Sequence, residues 1–175
     1  MSKISLIIAS LILSYNSYSQ NSPADKLFEK YADKDGITTV SISKYMFSLF
    51  ANKNNESNNN FQKVINGLES IRILTVDDSA LNTTINFYKE IINELPKNQY
   101  KELMSVKEKN QDLKMLIREN KGDITEFLMI GGGKDNMLIC ITGKINLASL
   151  AELSKNMNIE GLDKLDKLET TPKKK

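Results

Sequence analysis

The chain has 175 residues, which is enough for one domain with a substantial hydrophobic core. Its 24 basic and 22 acidic residues give a formal net charge of +2 at pH 7. This balance argues against nucleic-acid binding, because proteins that bind nucleic acid carry a concentrated basic excess. Histidine is absent, which excludes histidine-based nucleophile pairs, general bases and metal sites. No metal or other cofactor is expected.

The N-terminal residues have the features of an export signal. A lysine precedes an apolar run of ten residues at 4–13, and Ser17 and Ser19 are small residues placed for cleavage between Ser19 and Gln20. The run is about half as long as the 20 apolar residues that a membrane span needs. We therefore predict a signal peptide at residues 1–19, a periplasmic or secreted protein and no transmembrane span. An uncleaved N-terminal anchor is the alternative.

The first half of the mature chain predicts alternating helices and strands. Apolar spacing predicts helices over 24–32 and 44–51, and strands over 37–43 and 71–76. The methionine and aromatic residues of the second helix are typical of a core. Because a helix separates the two strands, a parallel arrangement of these strands is suggested. Residues 52–60 are asparagine-rich and predict a surface loop.

A longer helix is predicted over residues 80–95. Apolar residues recur close to helical spacing, and Pro96 marks the end of the pattern. Asp77 and Asp78 precede this segment. Two neighbouring acids could bind a metal, but capping of the helix explains them without one.

From residue 100 the apolar pattern changes to period two. Four strands are predicted at 102–108, 112–119, 124–130 and 137–142, and the short turns between them favour an antiparallel meander. The last two strands are apolar on both faces, so part of their second face should also be covered.

The triple glycine 131–133 lies between the last two predicted strands. With Lys134 it is similar to part of a phosphate-binding loop, but Leu128 stands where the first glycine of that motif belongs. Asp135 also replaces the hydroxyl residue that should follow the lysine. We therefore interpret the three glycines as a hairpin turn.

The C-terminal region predicts a helix at 147–157, a small amphipathic helix at 162–168 and a basic tail at 170–175. Residues 20–169 are thus expected to form one α+β domain. Its core would be a mainly antiparallel sheet of about six strands, with helices packed on one face.

Surplus apolar residues on the predicted sheet form a possible interaction face, consisting of Leu116, Leu128, Leu138 and Cys140. Cys140 is the only cysteine, so it forms no intrachain disulfide. Its apolar neighbours predict a small buried side chain. A reactive or intermolecular thiol is the alternative.

Four segments carry a resemblance to a known family. They are residues 36–47 (GITTVSISKYMF), 68–74 (LESIRIL), the run ending TGKI at 142–145, and 150–165 (LAELSKNMNIEGLDKL). In this order they resemble the small exported Bacteroidetes proteins of domain of unknown function 4252. The resemblance implies an envelope or secreted protein and supplies no functional residues. Some relatives are encoded near extracytoplasmic sigma-factor systems, which implies a link to envelope signalling. The asparagine-rich segment departs from the family and is interpreted as a surface insertion.

The absence of histidine and of catalytic motifs favours a non-enzymatic exported protein of uncharacterised role. We expect an interaction or envelope-signalling module that binds another envelope protein or a second copy of itself. One alternative is a carrier of a small apolar ligand held between the helices and the sheet. Another is a carboxylate-based hydrolase, because acids are plentiful and their separation in space is not visible from sequence.

Overall fold

The computed structural model describes residues 22–51 and 65–146, which contain a six-stranded sheet and four helices. In chain order the elements are α1 (Pro23–Tyr31), β1 (Ile37–Ser43), α2 (Lys44–Ala51), β2 (Leu68–Val76), α3 (Ser79–Thr84), α4 (Phe87–Ile91), β3 (Tyr100–Lys107), β4 (Gln111–Asn120), β5 (Asp123–Gly133) and β6 (Met137–Ile145).

The strand order is β1-β2-β6-β5-β4-β3, and every neighbouring pair is antiparallel. Strands β3 to β6 form the predicted meander, and the predicted α+β class is confirmed. The suggested parallel arrangement of β1 and β2 is wrong. Ser43 at the end of β1 lies opposite Ser70 near the start of β2. The chain therefore re-enters the sheet at the end where it left, and this requires an antiparallel pair.

The sheet has an apolar core on each face. The face that contacts α1 and α4, here called the helix face, includes Leu74, Leu128 and Ile130. The opposite face, here called the second face, carries Met115, Phe127, Met129 and Ile139, and Phe47 of α2 packs with this second group. The expectation that β5 and β6 are covered on both faces is therefore confirmed by burial.

The helix predicted over 80–95 is two short helices, α3 and α4, and this correction has a local cause. Asn86 caps α4, since its side-chain oxygen accepts a hydrogen bond of 2.9 Å from the Lys89 N–H. The buried Asn136 side chain accepts from the Phe87 N–H (2.9 Å) and donates to the Ile85 carbonyl (3.0 Å). These bonds satisfy the backbone at the break, so an interrupted helix is stable there.

The three glycines belong to strand β5, so their interpretation as a turn is wrong. The turn consists of residues 134–136. A Cβ on Gly132 would lie 2.7 Å from Tyr88 Cβ and 2.8 Å from the Tyr88 backbone nitrogen. Gly133 has a φ of 123°, in the region that favours glycine. The missing side chain at Gly132 therefore allows α4 to approach the sheet closely.

Several predicted segments lie outside the described residues. They are the signal peptide (1–19), the asparagine-rich loop (52–60), both C-terminal helices (147–157 and 162–168) and the basic tail (170–175). Within residues 22–51 and 65–146, no helix has the length and apolar character needed to cross a membrane.

The variant Gly132→Ala should lower the free energy of unfolding by about 2–4 kcal/mol, because the new methyl group overlaps the α4 backbone. Urea denaturation followed by circular dichroism measures this difference. Gly131→Ala is the matched control: its added Cβ would lie 3.3 Å from the Asp135 carbonyl oxygen, the nearest atom. The control should change stability by less than about 1 kcal/mol. Equal losses in both variants would contradict the role assigned to the close approach of α4.

Candidate functional site

The four residues predicted as an interaction face lie together, but they are internal. Leu116, Leu128 and Cys140 are in register on neighbouring strands. Their exposed fractions are 6%, 0% and 0%, and that of Leu138 is 0%. They form one core cluster with residues of α1 and α4. The fold itself covers this surface, so the four residues act as core and present no open face to a partner.

Side chains from the two helices fill the layer above these residues. The rings of Tyr31 and Phe87 pack with their centroids 5.1 Å apart. Phe28 and Ile91 belong to the same buried cluster. A carrier would need space for its ligand between the helices and the sheet, and this layer is occupied by the protein's own aromatic and aliphatic groups.

A line of polar side chains runs across the helix face from α1 to β3. We call it the polar row, and it consists of Asp25, Arg72, Cys140, Glu126, Arg118 and Tyr100. The spacing of these residues in the sequence does not reveal the row, because the six residues come from one helix and five strands. Only the strand register brings Arg72 opposite Cys140 and Arg118 opposite Glu126.

Glu126 is the buried acid of the polar row, with an exposed fraction of 1%. One of its oxygens pairs with Arg118 Nη2 at 2.8 Å and accepts a hydrogen bond from the Tyr100 hydroxyl at 2.9 Å. Burial raises the pKa of Tyr100, and the negative charge of Glu126 raises it further. The carboxylate is thus neutralised and hydrogen-bonded, as a buried charge requires.

Asp25 and Arg72 join α1 to the sheet at the other end of the polar row. Asp25 pairs with Arg72 and also accepts the Ser22 N–H in the capping box of α1. Burial alone would raise the pKa of Asp25, but the hydrogen bonds from Arg72 and Ser22 lower it below its usual value. The Arg72 guanidinium also lies 4.4 Å from the centre of the Phe28 ring. These contacts fix the position of α1.

Cys140 lies between the two charged pairs. Arg72 Nη2 donates to its sulfur at 3.9 Å, and the thiol donates to Glu126 Oε1 at 3.7 Å. Burial raises the pKa of the thiol to about 12, and the charge of Glu126 acts in the same direction. A thiol is a nucleophile only as its thiolate, so Cys140 is unsuited to nucleophilic chemistry near neutral pH.

The polar row therefore has a structural role, because its ion pairs join α1 to β2 and β4 to β5. Its two carboxylates are each matched to an arginine. Within the described ranges, no cluster of three or more Cys, Asp or Glu side chains has an arrangement that could hold a metal ion. The network's chemical capacity is to neutralise buried charges and to align α1 with β2 and β5.

A second feature of the described residues is a set of exposed apolar side chains on edge strand β1 and on α2, the helix that follows it. We call it the edge patch, and it consists of Val40 on β1 and Tyr45, Met46 and Leu49 on α2. Their exposed fractions range from 38% for Val40 to 73% for Tyr45. The helical positions 45, 46 and 49 share one side of α2, and Phe47 faces the core on the other.

The sequence predicted core positions for the methionine and aromatic residues of α2, and this prediction is wrong for Tyr45 and Met46. Residues 45, 46, 47 and 49 are apolar, so the helix is apolar around most of its circumference. A short helix that rests on one side of a sheet can bury only the side that faces the sheet. The width of this apolar pattern was the signal that could have revealed an exposed surface.

Cys140 should resist alkylation in the folded protein. With an exposed fraction of 0% and a pKa of about 12, its labelling by iodoacetamide should stay slow between pH 7 and 9. Mass spectrometry of the intact protein measures the label. Addition of urea should allow complete labelling, which serves as the control. Rapid labelling of the folded protein would contradict the buried position of the thiol.

Comparisons with known proteins yield a family for this fold. The family model described as "Domain of unknown function (DUF4252)" matches residues 31–153. The searches found no matching curated protein and no matching solved structure. The matched range contains all six strands of the sheet, α2 with the edge patch, and every member of the polar row except Asp25. The predicted relationship is confirmed, and the chain belongs to the DUF4252 family.

Proposed function

We propose that the protein is a non-enzymatic, exported module of the cell envelope that binds a protein partner through the edge patch. The observation that carries this proposal is the exposure of four large apolar side chains, Val40, Tyr45, Met46 and Leu49, on two consecutive elements, β1 and α2. Grouped exposed apolar side chains are a mark of interaction surfaces, whereas single ones are common everywhere on proteins. Tyr and Met are also enriched at protein interfaces.

The buried side chains support an interaction role over the two alternatives. A carrier lacks support, because Tyr31, Phe87 and their neighbours fill the layer between helices and sheet. A carboxylate-based hydrolase needs one acid free to donate a proton and another free to act as base or nucleophile. Asp25 and Glu126 are instead each held by an arginine.

Support for export comes from the sequence. The apolar run at 4–13 and the small residues Ser17 and Ser19 have the order of a cleavable signal. A single buried cysteine also suits an oxidising compartment, because it avoids unwanted disulfides.

Export predicts a defined mature N-terminus. Expression with the native N-terminal segment in a bacterial host should give a periplasmic protein that begins at Gln20. Intact-mass measurement and N-terminal peptide sequencing identify the first residue. The variant Ser19→Arg places a large charged side chain at the cleavage position and should block processing. A protein retained in the cytoplasm with its first 19 residues intact would contradict export.

Partner binding predicts a crosslink that depends on the edge patch. A photoreactive phenylalanine analogue at Met46 should form a discrete adduct with a protein partner in cells that make the protein. Leu49→Glu should abolish this adduct, because it introduces a charge into the apolar contact. Leu49 is half exposed, so the variant should unfold within a few degrees of the unsubstituted protein, and thermal denaturation checks this.

The same analogue at Ser105 is the matched control. Ser105 is exposed on β3, at the opposite edge of the sheet. It should give no such adduct. Absence of any adduct from Met46, or an identical adduct from both positions, would contradict the proposed role of the edge patch.

A further inference from the structure

We propose that the partner of the edge patch is a second copy of this chain, joined by antiparallel pairing of the two β1 strands around a two-fold axis at Val40. This inference rests on the proposed function, because it names the partner for the same surface. The pairing would join the two six-stranded sheets into one continuous sheet.

Strand β1 is an open edge of the described sheet. It pairs with β2 along seven consecutive residue pairs without a bulge, and residues 38–41 are all exposed. A strand with one neighbour directs half of its backbone donors and acceptors away from the sheet. These groups can bind a further strand through regular backbone hydrogen bonds.

The two edges of the sheet differ in their protection against such pairing. Strand β3 carries Lys101, Glu102 and Lys107, and a register irregularity follows Glu102. Charges and bulges of this kind prevent strand addition. Strand β1 (ITTVSIS) has no charge and no proline, and its β1–β2 register is regular. The sequence of β1 thus allows a pairing that β3 opposes.

An apolar row points to a second copy as the occupant. Met115, Met129, Ile139, Ile73 and Val40 are in register across β4, β5, β6, β2 and β1. The first three are fully buried, whereas Val40, at the sheet edge, is 38% exposed. A two-fold axis at Val40 places the Val40 side chains of both copies opposite each other. The second face would then continue from one copy into the other.

Charge also favours the antiparallel arrangement. The N-terminal end of β1 lies near two acidic stretches, residues 33–35 and residues 77–78. Together they contain four aspartates and one basic residue, Lys34. The other end carries Lys44 and Glu69, which balance. Antiparallel pairing at Val40 keeps the acidic ends of the two copies apart. It also places Lys44 of one copy opposite Gly36 of the other copy, and therefore close to Asp35 of that other copy. All residue pairs within the strands are neutral, so no like charges face each other.

The oligomeric state of the mature chain tests this inference. Sedimentation equilibrium should give a dimer, and Val40→Lys should raise the dissociation constant at least tenfold by placing two lysines opposite each other. Val40 is already partly exposed, so the variant should remain folded by circular dichroism. Ser105→Lys, on the opposite edge, is the control and should leave the dimer unchanged.

Single cysteines test the register. Val40→Cys should form a disulfide-linked dimer under mild oxidation, because position 40 of one copy lies opposite position 40 of the other. The native Cys140 is buried and does not compete. Thr38→Cys lies on the same face of β1 but would face Ile42 of the other copy. It should therefore give no linked dimer.

Each outcome decides the matter. A monomer at about 100 µM, a range in which a weak dimer would still form, overturns the inference, as does a dimer that Val40→Lys leaves intact. A Thr38→Cys disulfide overturns the register. If the chain is a monomer but Met46 still forms a patch-dependent adduct with a different protein, the proposed function stands and the self-association fails. If neither dimer nor adduct forms, both proposals fail.

Discussion

Strands β5 and β6 carry apolar side chains on both faces, and the rest of the molecule depends on removing both faces from water. In β5, Phe127 and Met129 belong to one core cluster while Leu128 and Ile130 belong to the other, and all four have an exposed fraction of 0%. The two strands accordingly occupy the centre of the sheet, with two further strands on each side. Strand β3, which carries charged side chains, can then lie at one edge of the sheet.

Close packing on the helix face is produced by a few specific contacts. Gly132 lets α4 lie against β5, and Asn136 satisfies the backbone where the helix is interrupted. The Asp25–Arg72 pair positions α1 over the same face. Each of these three features brings a helix into closer contact with the sheet. The charged groups of the polar row serve this packing, because Asp25 is paired with Arg72 and Glu126 with Arg118.

Periodicity was enough to predict α1, β1, α2 and the four-stranded meander, because each depends on local spacing of apolar residues. It failed where distant residues decide the structure. The role of Gly132 depends on Tyr88 in α4, and the break in the helix depends on Asn136 in the β5–β6 turn. The polar row could not be predicted at all, since only the strand register aligns its members. Exposure of Tyr45 likewise depends on which side of α2 meets the sheet.

Because the central strands are covered on both faces, the proposed recognition falls to the edges of the sheet, and the two edges are unequal. The charges and irregular register of β3 oppose strand addition. Strand β1 lacks both, and the exposed side of α2 follows it directly in the chain. Backbone groups on β1 can supply regular hydrogen bonds, while the apolar side chains of α2 supply buried area. Hydrogen bonds alone add little net affinity, because water already satisfies an exposed edge. The coincidence of an open edge with exposed apolar side chains is therefore the basis for proposing β1 and α2 as a recognition site.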